Sequence, residues 1–598
     1  MVYEKGRVLL VLAFAVVTTY ADTDRQVVTV DTNVGTINGY VKETTYLGET
    51  YKIDRFQGIP FAETPVDERR FQKALPKAPF ARPLDAFAHG KMCMQSALME
   101  PFIPEIEYTY SEDCLYLNIY APHSRHGQEE KLPVMVWIYG GGFNFGFTDI
   151  YQGDNIAAYG NVIVVTISYR LSAWGFLSTG TEEAPGNAGL WDQHMGIKWV
   201  HDNIEAFGGD NQRVTLFGES AGSASVIYQA LYPGNKGLFQ RVIGQSGSVS
   251  SYWASQSDAT KYTNRLAEHT NCKHENTKET IKCLQKVSND RIVEIISNVT
   301  FGCVEFPFPF DPIKDNDFVR YEPRTAFGNL PADVIDMYKS IDVMTGLNSA
   351  EGSIAVSPFL GVEVPEEFMP SRDDFRNKLV MGALNVLYPD NEIKELLKDL
   401  VVAEYIDWNN PDDPIVIRQE YVNMHGDIGF VEPCYSTLNK HAQVSGASTF
   451  MYLFDVKPST QLFSYVSWLE GLAHAEEIPA VFGYKSFKKN GESFGEKAWE
   501  LLLSKDVITL WTNFAKSGNP NKPVNLDLDW LPYTEKHQHY LHITSDMTSL
   551  NVKQRWNTRR VNFWSEIAPK IANGEVCTKS DETAEDRGTC EKDGECSP

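Results

Sequence analysis

The sequence predicts an α/β fold: a large, mostly parallel central sheet flanked by helices, with a small antiparallel sheet at its N-terminal end. Three observations carry this. Continuous apolar runs such as Leu132–Tyr139 and Asn161–Tyr169 suit strands buried on both faces. They alternate with segments of helical period, such as Trp191–Phe207, where Met195, Ile197, Val200 and Ile204 recur before Gly208-Gly209. Residues 27–45 instead alternate apolar and polar around glycines, as short antiparallel strands do.

Taken in order, residues 1–21 read as a signal peptide. Lys5 and Arg7 precede the apolar run Val8–Val17, and Thr19 and Ala21 supply small residues for cleavage. The run is too short to span a bilayer, so a secreted protein with no membrane span is expected. Residues 22–572 follow as one catalytic-sized domain. Arg241–Gly244, Asp342–Thr345 and Thr449–Val456 read as further strands, and the helix-rich residues 365–440 as insertions covering the sheet. Residues 573–598 form an acidic tail with three cysteines and almost nothing apolar, too polar to bury a core.

The formal charge is −25. It becomes −26 without residues 1–21, whose Lys5 and Arg7 outnumber Glu4 by one charge. So acidic a surface repels nucleic acid and anionic membranes. The nine cysteines show no zinc-type spacing, so neither metal nor cofactor is expected, and an oxidising compartment makes disulfides the default. An odd count leaves at least one thiol free or paired to another chain, which leaves a homodimer open. Asn298-Val-Thr300 is a glycosylation sequon.

The chemistry centres on Val214-Thr-Leu-Phe-Gly218-Glu-Ser220-Ala-Gly222, a short strand, a Gly-x-Ser-x-Gly turn and then a helix. Such a turn lifts a serine hydroxyl clear of the backbone beside a helix N-terminus. A serine needs a base, usually histidine, and the histidine needs an orienting carboxylate. Acyl transfer also needs N–H donors for the oxyanion. Gly140-Gly141-Gly142, directly after a buried strand, can bring the N–H groups of Gly141 and Gly142 close to a substrate oxygen, joined by Ala221. A phosphate loop is excluded, since no Gly-Lys-Ser/Thr follows.

Together these motifs resemble the type-B carboxylesterase/cholinesterase branch of the α/β-hydrolases. The likeness spans about residues 27–570. It includes Gln57-Gly-Ile-Pro-Phe-Ala62, Glu112-Asp-Cys-Leu-Tyr-Leu-Asn118, Phe207-Gly-Gly-Asp210, Gln245-Ser246-Gly247 and Trp511-Thr-Asn-Phe-Ala515. In overall look the chain is nearest to secreted bile-salt-activated lipase-type carboxylesterases. The resemblance implies Glu351, in Gly346-Leu-Asn-Ser-Ala-Glu351-Gly352, as the triad acid. It implies His474, in Gly471-Leu-Ala-His474, as the base. It places Ser246 near Glu351 and implies the disulfides Cys93–Cys114 and Cys272–Cys283, leaving Cys303 and Cys434 without inherited partners. Glu219, beside the nucleophile, either favours cationic groups or tunes the histidine. Phe306 and Phe308 resemble an aromatic pair that narrows an acyl pocket; their plain alternative is core packing. The loop between Cys93 and Cys114 lacks the tryptophan of cholinesterases, which argues against choline esters.

The expected function is a secreted serine carboxylic-ester hydrolase acting on a small-molecule ester. The alternatives are a carbamate-ester hydrolase, a cholinesterase, or a binding protein that kept the fold without the chemistry.

Overall fold

The computed structural model describes residues 25–574, apart from 101–102, 104–105, 124–127, 298–307, 358–365, 390–392, 445, 464, 490–491 and 496. The expected signal peptide, Asn298, Cys303, Phe306 and the tail cysteines lie outside the described residues.

The alternating N-terminal segment forms β1 (Val27–Thr32), β2 (Gly35–Tyr46) and β3 (Glu49–Pro60). The continuous apolar runs form β5 (Leu132–Ile138) and β6 (Ile163–Ile167), buried along their whole length. In sequence β4 (Tyr116–Pro122) precedes β5, and β7 (Gly209–Glu219) and β8 (Arg241–Gln245) follow β6. The series closes with β9 (Asp342–Asn348), β10 (Thr449–Phe454), β11 (His539–Ile543) and β12 (Val552–Gln554).

All belong to one thirteen-stranded sheet in the order β1-β2-β3-β4-β6-β5-β7-β8-β9-β10-β11-β12, the remaining strand pairing with β2. From β6 to β11 every neighbouring pair is parallel. The N-terminal antiparallel strands continue the same sheet, because β4 pairs antiparallel with both β3 and β6. Strand β7 is longer than its apolar core suggests. Asp210 to Arg213 are polar, yet Gly209 pairs with Leu132 across a register shift that admits them.

Helices α1 (Ala188–Asn203) and α2 (Ala221–Ala230) arise where the sequence turns to helical period. In the helix-rich insertion, α3 (Pro414–Gly426) starts on an Asp413 cap and Pro414, and α4 (Glu432–Val444) packs on β9 and β10. The long α5 (Ala498–Ser517) buries Trp511 and Phe514 and ends at a left-handed Gly518. Two disulfides close Cys93–Cys114 and Cys272–Cys283. Cys434 is buried and unbridged. The segment closed by the first disulfide reaches into the interior. Its Ile103 is buried in a cluster with Phe145, Phe147 and Phe308.

The C-terminal ends of β5, β7, β8 and β9 lie side by side, with Ile138 beside Gly218 and Glu219 beside Gln245. Ligands of parallel α/β sheets gather at that edge. It receives Gly140 after β5, Ser220 after β7, Ser246 after β8 and Glu351 after β9.

Candidate active site

Ser220 stands between β7 and α2 with φ 58° and ψ −121°, a conformation that a non-glycine residue seldom adopts. Packing enforces the turn. A side chain on Gly222 would meet the Ile138 carbonyl oxygen at 2.0 Å, so β5 and the start of α2 approach as only glycine permits. Ser220 Oγ is thereby presented at the first turn of α2, where the Ala221 N–H has no intrahelical acceptor.

The glycine loop lies over the serine. A side chain on Gly140 would sit 2.9 Å from Ser220 Cβ. Gly142, at φ 56°, packs against the Phe308 ring. Among the described residues the N–H groups of Gly141 and Gly142 donate to no protein acceptor, so they are available to a ligand. The loop is held from behind by Asn144, whose side chain donates to the Gly142 carbonyl at 2.8 Å.

Glu351 and His474, 123 residues apart, meet in a 2.7 Å hydrogen bond from His474 Nδ1 to Glu351 Oε2. The other carboxylate oxygen accepts from Ser246 Oγ at 2.5 Å and from the Asn348 N–H at 2.6 Å. The histidine backbone is pinned as well. Its N–H donates to Ser353 Oγ at 2.9 Å, and its carbonyl accepts from Tyr465 at 2.7 Å. The Phe430 ring packs on the imidazole.

His474 Nε2 is directed toward Glu219, whose Oε1 lies 3.1 Å away, at ion-pair distance but outside hydrogen-bond geometry. Ser220 and His474 line the same cavity, but no hydrogen bond joins their side chains. Burial works against a charged imidazole here. Glu219 and Glu351 outweigh it and raise the His474 pKa to about 9. Burial pushes Glu219 well above the usual carboxylate range; Glu477 and Glu351 add to this and His474 opposes it. At this separation the protonation of Glu219 and that of His474 are coupled.

Two further carboxylates escaped the sequence reading. Glu477 is buried and accepts from Gln245 at 2.9 Å and Asn348 at 2.7 Å. Glu476 accepts the N–H groups of Leu462 and Phe463, and burial lifts its pKa to about 8. The signal was there: two adjacent glutamates in a run from Gly471 to Gly483 that is apolar but for them and His474.

These groups open into a cavity lined by Phe145, Phe147, Trp253, Phe308 and Phe463. Of the two phenylalanines read as an acyl-pocket pair, Phe308 lines this cavity and packs edge-on against Phe145, ring centres 5.5 Å apart. Phe306 lies outside the described residues. Among the described residues no cluster of His, Cys, Asp or Glu could hold a metal ion.

Comparison with known proteins agrees with this fold. Residues 26–564 match the profile of the Carboxylesterase family. The chain is 37% identical to the bile salt-activated lipase of Bos taurus over 561 residues, 90% of this chain and 87% of the relative. It is 35% identical to that of Rattus norvegicus over 92% of this chain and 88% of the relative. It is also 32% identical to neuroligin-3 of Mus musculus over 95% of this chain and 72% of the relative. The protein belongs to the carboxylesterase family, with its α/β-hydrolase fold.

Proposed function

We propose that the protein is a secreted serine carboxylic-ester hydrolase that works through an acyl-enzyme on Ser220. The observation that carries this reading is the Glu351–His474 hydrogen bond, facing a cavity that also holds Ser220 and the glycine loop. Ser220 Oγ attacks the ester carbonyl carbon, and His474 Nε2 takes its proton. The carbonyl oxygen becomes an oxyanion held by the N–H groups of Gly141, Gly142 and Ala221. Each such donor is worth roughly 3–4 kcal/mol to the transition state. His474 then hands the proton to the departing alcohol, and the acyl group stays on Ser220. Water, deprotonated by His474, attacks the acyl-enzyme and releases the acid. Glu351 keeps Nδ1 protonated and stabilises the imidazolium.

For His474 to reach Ser220, Nε2 turns from Glu219 toward Oγ within the cavity that both residues line. Catalytic hydrogen bonds often close only once substrate is bound. Glu219 fits the role of a carboxylate that tunes the histidine. The aromatic lining favours an apolar acyl group, with Phe308 bounding its length. Secretion is supported by the N-terminal apolar run and the two disulfides. Among the described residues no helix is long and apolar enough to cross a membrane.

A substrate panel tests the reading. Purified protein is offered esters of increasing acyl length, choline esters and carbamates, with and without bile salt. Turnover of uncharged esters, lost in Ser220→Ala, is expected. Equal turnover by wild type and Ser220→Ala would overturn the assignment of the nucleophile.

A further inference from the structure

The glycine loop, Gly140 to Gly146, does not hold its shape unaided. Gly141, Gly142 and Phe143 follow one another at φ 108°, 56° and 59°, and Phe143 carries a side chain that disfavours such a value. A strained turn persists only where its surroundings over-determine it. Backbone bonds supply part of that constraint. The Ser172 N–H donates to the Phe143 carbonyl at 2.8 Å, and the N–H groups of Asn144 and Phe145 donate to the Gly141 carbonyl at 3.0 and 3.1 Å.

Two buried side-chain amides supply the rest. Gln95 belongs to the segment closed by Cys93–Cys114. Its Nε2 donates to the Gly146 carbonyl at 2.9 Å, and its Oε1 accepts the Gly146 N–H at 2.9 Å. The second Nε2 proton goes to the Cys93 carbonyl at 3.1 Å. Asn144 Nδ2 donates to the Gly142 carbonyl at 2.8 Å and to Asp311 Oδ1 at 3.4 Å. Each amide therefore grips the loop with one N–H and an anchor outside the loop with the other.

Peptide geometry carries this grip to the free N–H groups, because a trans peptide points its N–H opposite to its C=O. The Gly141 N–H shares a peptide with the Gly140 carbonyl. A Cβ on Gly146 would lie 2.6 Å from that carbonyl oxygen, so the place of Gly146, held by Gln95, sets the place of this peptide. The Gly142 N–H shares its peptide with the Gly141 carbonyl, and Asn144 fixes the next peptide at the Gly142 carbonyl. Gly141 and Gly142 line the cavity, whereas neither Gln95 nor Asn144 does. We propose that Gln95 and Asn144 are positioning residues for the oxyanion: they touch no substrate and act by aiming the N–H groups of Gly141 and Gly142. This rests on the ester chemistry proposed above.

The full-length protein, Gln95→Met and Asn144→Leu test it; both substitutions keep side-chain volume and remove the hydrogen bonds. Ester turnover is measured per Ser220 site titrated with a fluorophosphonate, beside inhibition by a trifluoromethyl ketone and by its carbinol. Ser220 Oγ bonds to the ketone carbon, its proton passes to His474 Nε2, and the carbonyl π pair moves onto oxygen as the oxyanion. The carbinol has a similar shape and forms no oxyanion. Each variant should lower kcat per site by about 10–100-fold with KM nearly constant, and weaken the ketone by a like factor. Carbinol binding should be unchanged. A merely structural role would lower Tm and the number of titratable sites, but not kcat per site or the ketone-to-carbinol ratio. The residues lie in separate segments, so either variant decides if the other fails to fold. A folded variant with wild-type kcat per site and ratio, or equal weakening of ketone and carbinol, would overturn the proposal alone. Wild-type protein that binds the ketone no more tightly than the carbinol would overturn the ester reading with it.

Discussion

The Ser220 side of the candidate site and the Glu351–His474 side are built by different means. On the nucleophile side, Ser220, Ala221 and the glycine loop follow adjacent strands directly, and backbone contact sets their geometry. Gly222 packs on the Ile138 carbonyl, and Gly140 on Ser220. On the acid–base side, Glu351 and His474 sit on loops, and a chain of side-chain hydrogen bonds positions them: Ser246 to Glu351, Ser353 to His474, Asn348 to Glu477. The first half is rigid by sterics. The second is adjustable, and His474 Nε2 rests toward Glu219 in it. Substitutions on the first side should therefore act all or none, whereas those on the second should act in degrees.

The largest effect belongs to Ser220→Ala, which removes the attacking atom. A loss of at least about 10⁴-fold in kcat is expected in a steady-state ester assay, with the fold intact. Glu351→Gln should follow at about 10³–10⁴-fold. Ser246 and the Asn348 N–H would still hold the amide oxygen, which turns its NH₂ toward His474 and selects the wrong tautomer. Gly222→Ala tests the steric half through stability. With a carbonyl oxygen 2.0 Å from the new Cβ, β5 and α2 must separate, and a loss of about 3 kcal/mol or more in denaturant unfolding is expected. Ser246→Ala removes one hydrogen bond to a carboxylate and leaves the Asn348 N–H in place, so a fall in kcat/KM of about tenfold is expected.

The smallest effect on maximal rate, and the sharpest test of adjustability, is the pH profile. His474 accepts a proton only when neutral, and its pKa is raised to about 9 with Glu219 as the leading opposing influence to burial. Activity should therefore climb as pH rises toward 9. Glu219→Gln removes that anion, lowers the histidine pKa and moves the rising limb to lower pH. A limb that stays in place would show that Glu219 does not tune the base.

The same division decides what could be read from the sequence. The elbow and the glycine loop are local: strand, turn and helix are contiguous, and the glycines mark close backbone approaches. Continuous apolar runs exposed β5, β6 and the core of β7. The polar start of β7 escaped, because register against β5, not hydrophobicity, recruits Asp210 to Arg213 into the sheet. Glu351 and His474 carry no local signature; they became legible only through likeness to a family, since nothing in spacing brings residues 123 apart together. Glu476 and Glu477 escaped for the same reason. A glutamate reads as surface until its buried partners are known: the side chains of Gln245 and Asn348 for Glu477, and the N–H groups of Leu462 and Phe463 for Glu476.

The central claim is that Ser220 is a nucleophile made reactive by His474. Treatment with a fluorophosphonate, followed by intact-mass measurement and peptide mapping, examines this most directly. One adduct is expected, on Ser220, formed rapidly in wild type, much more slowly in Glu351→Gln and not at all in Ser220→Ala. An unlabelled wild-type protein, or an adduct that persists in Ser220→Ala, would contradict it.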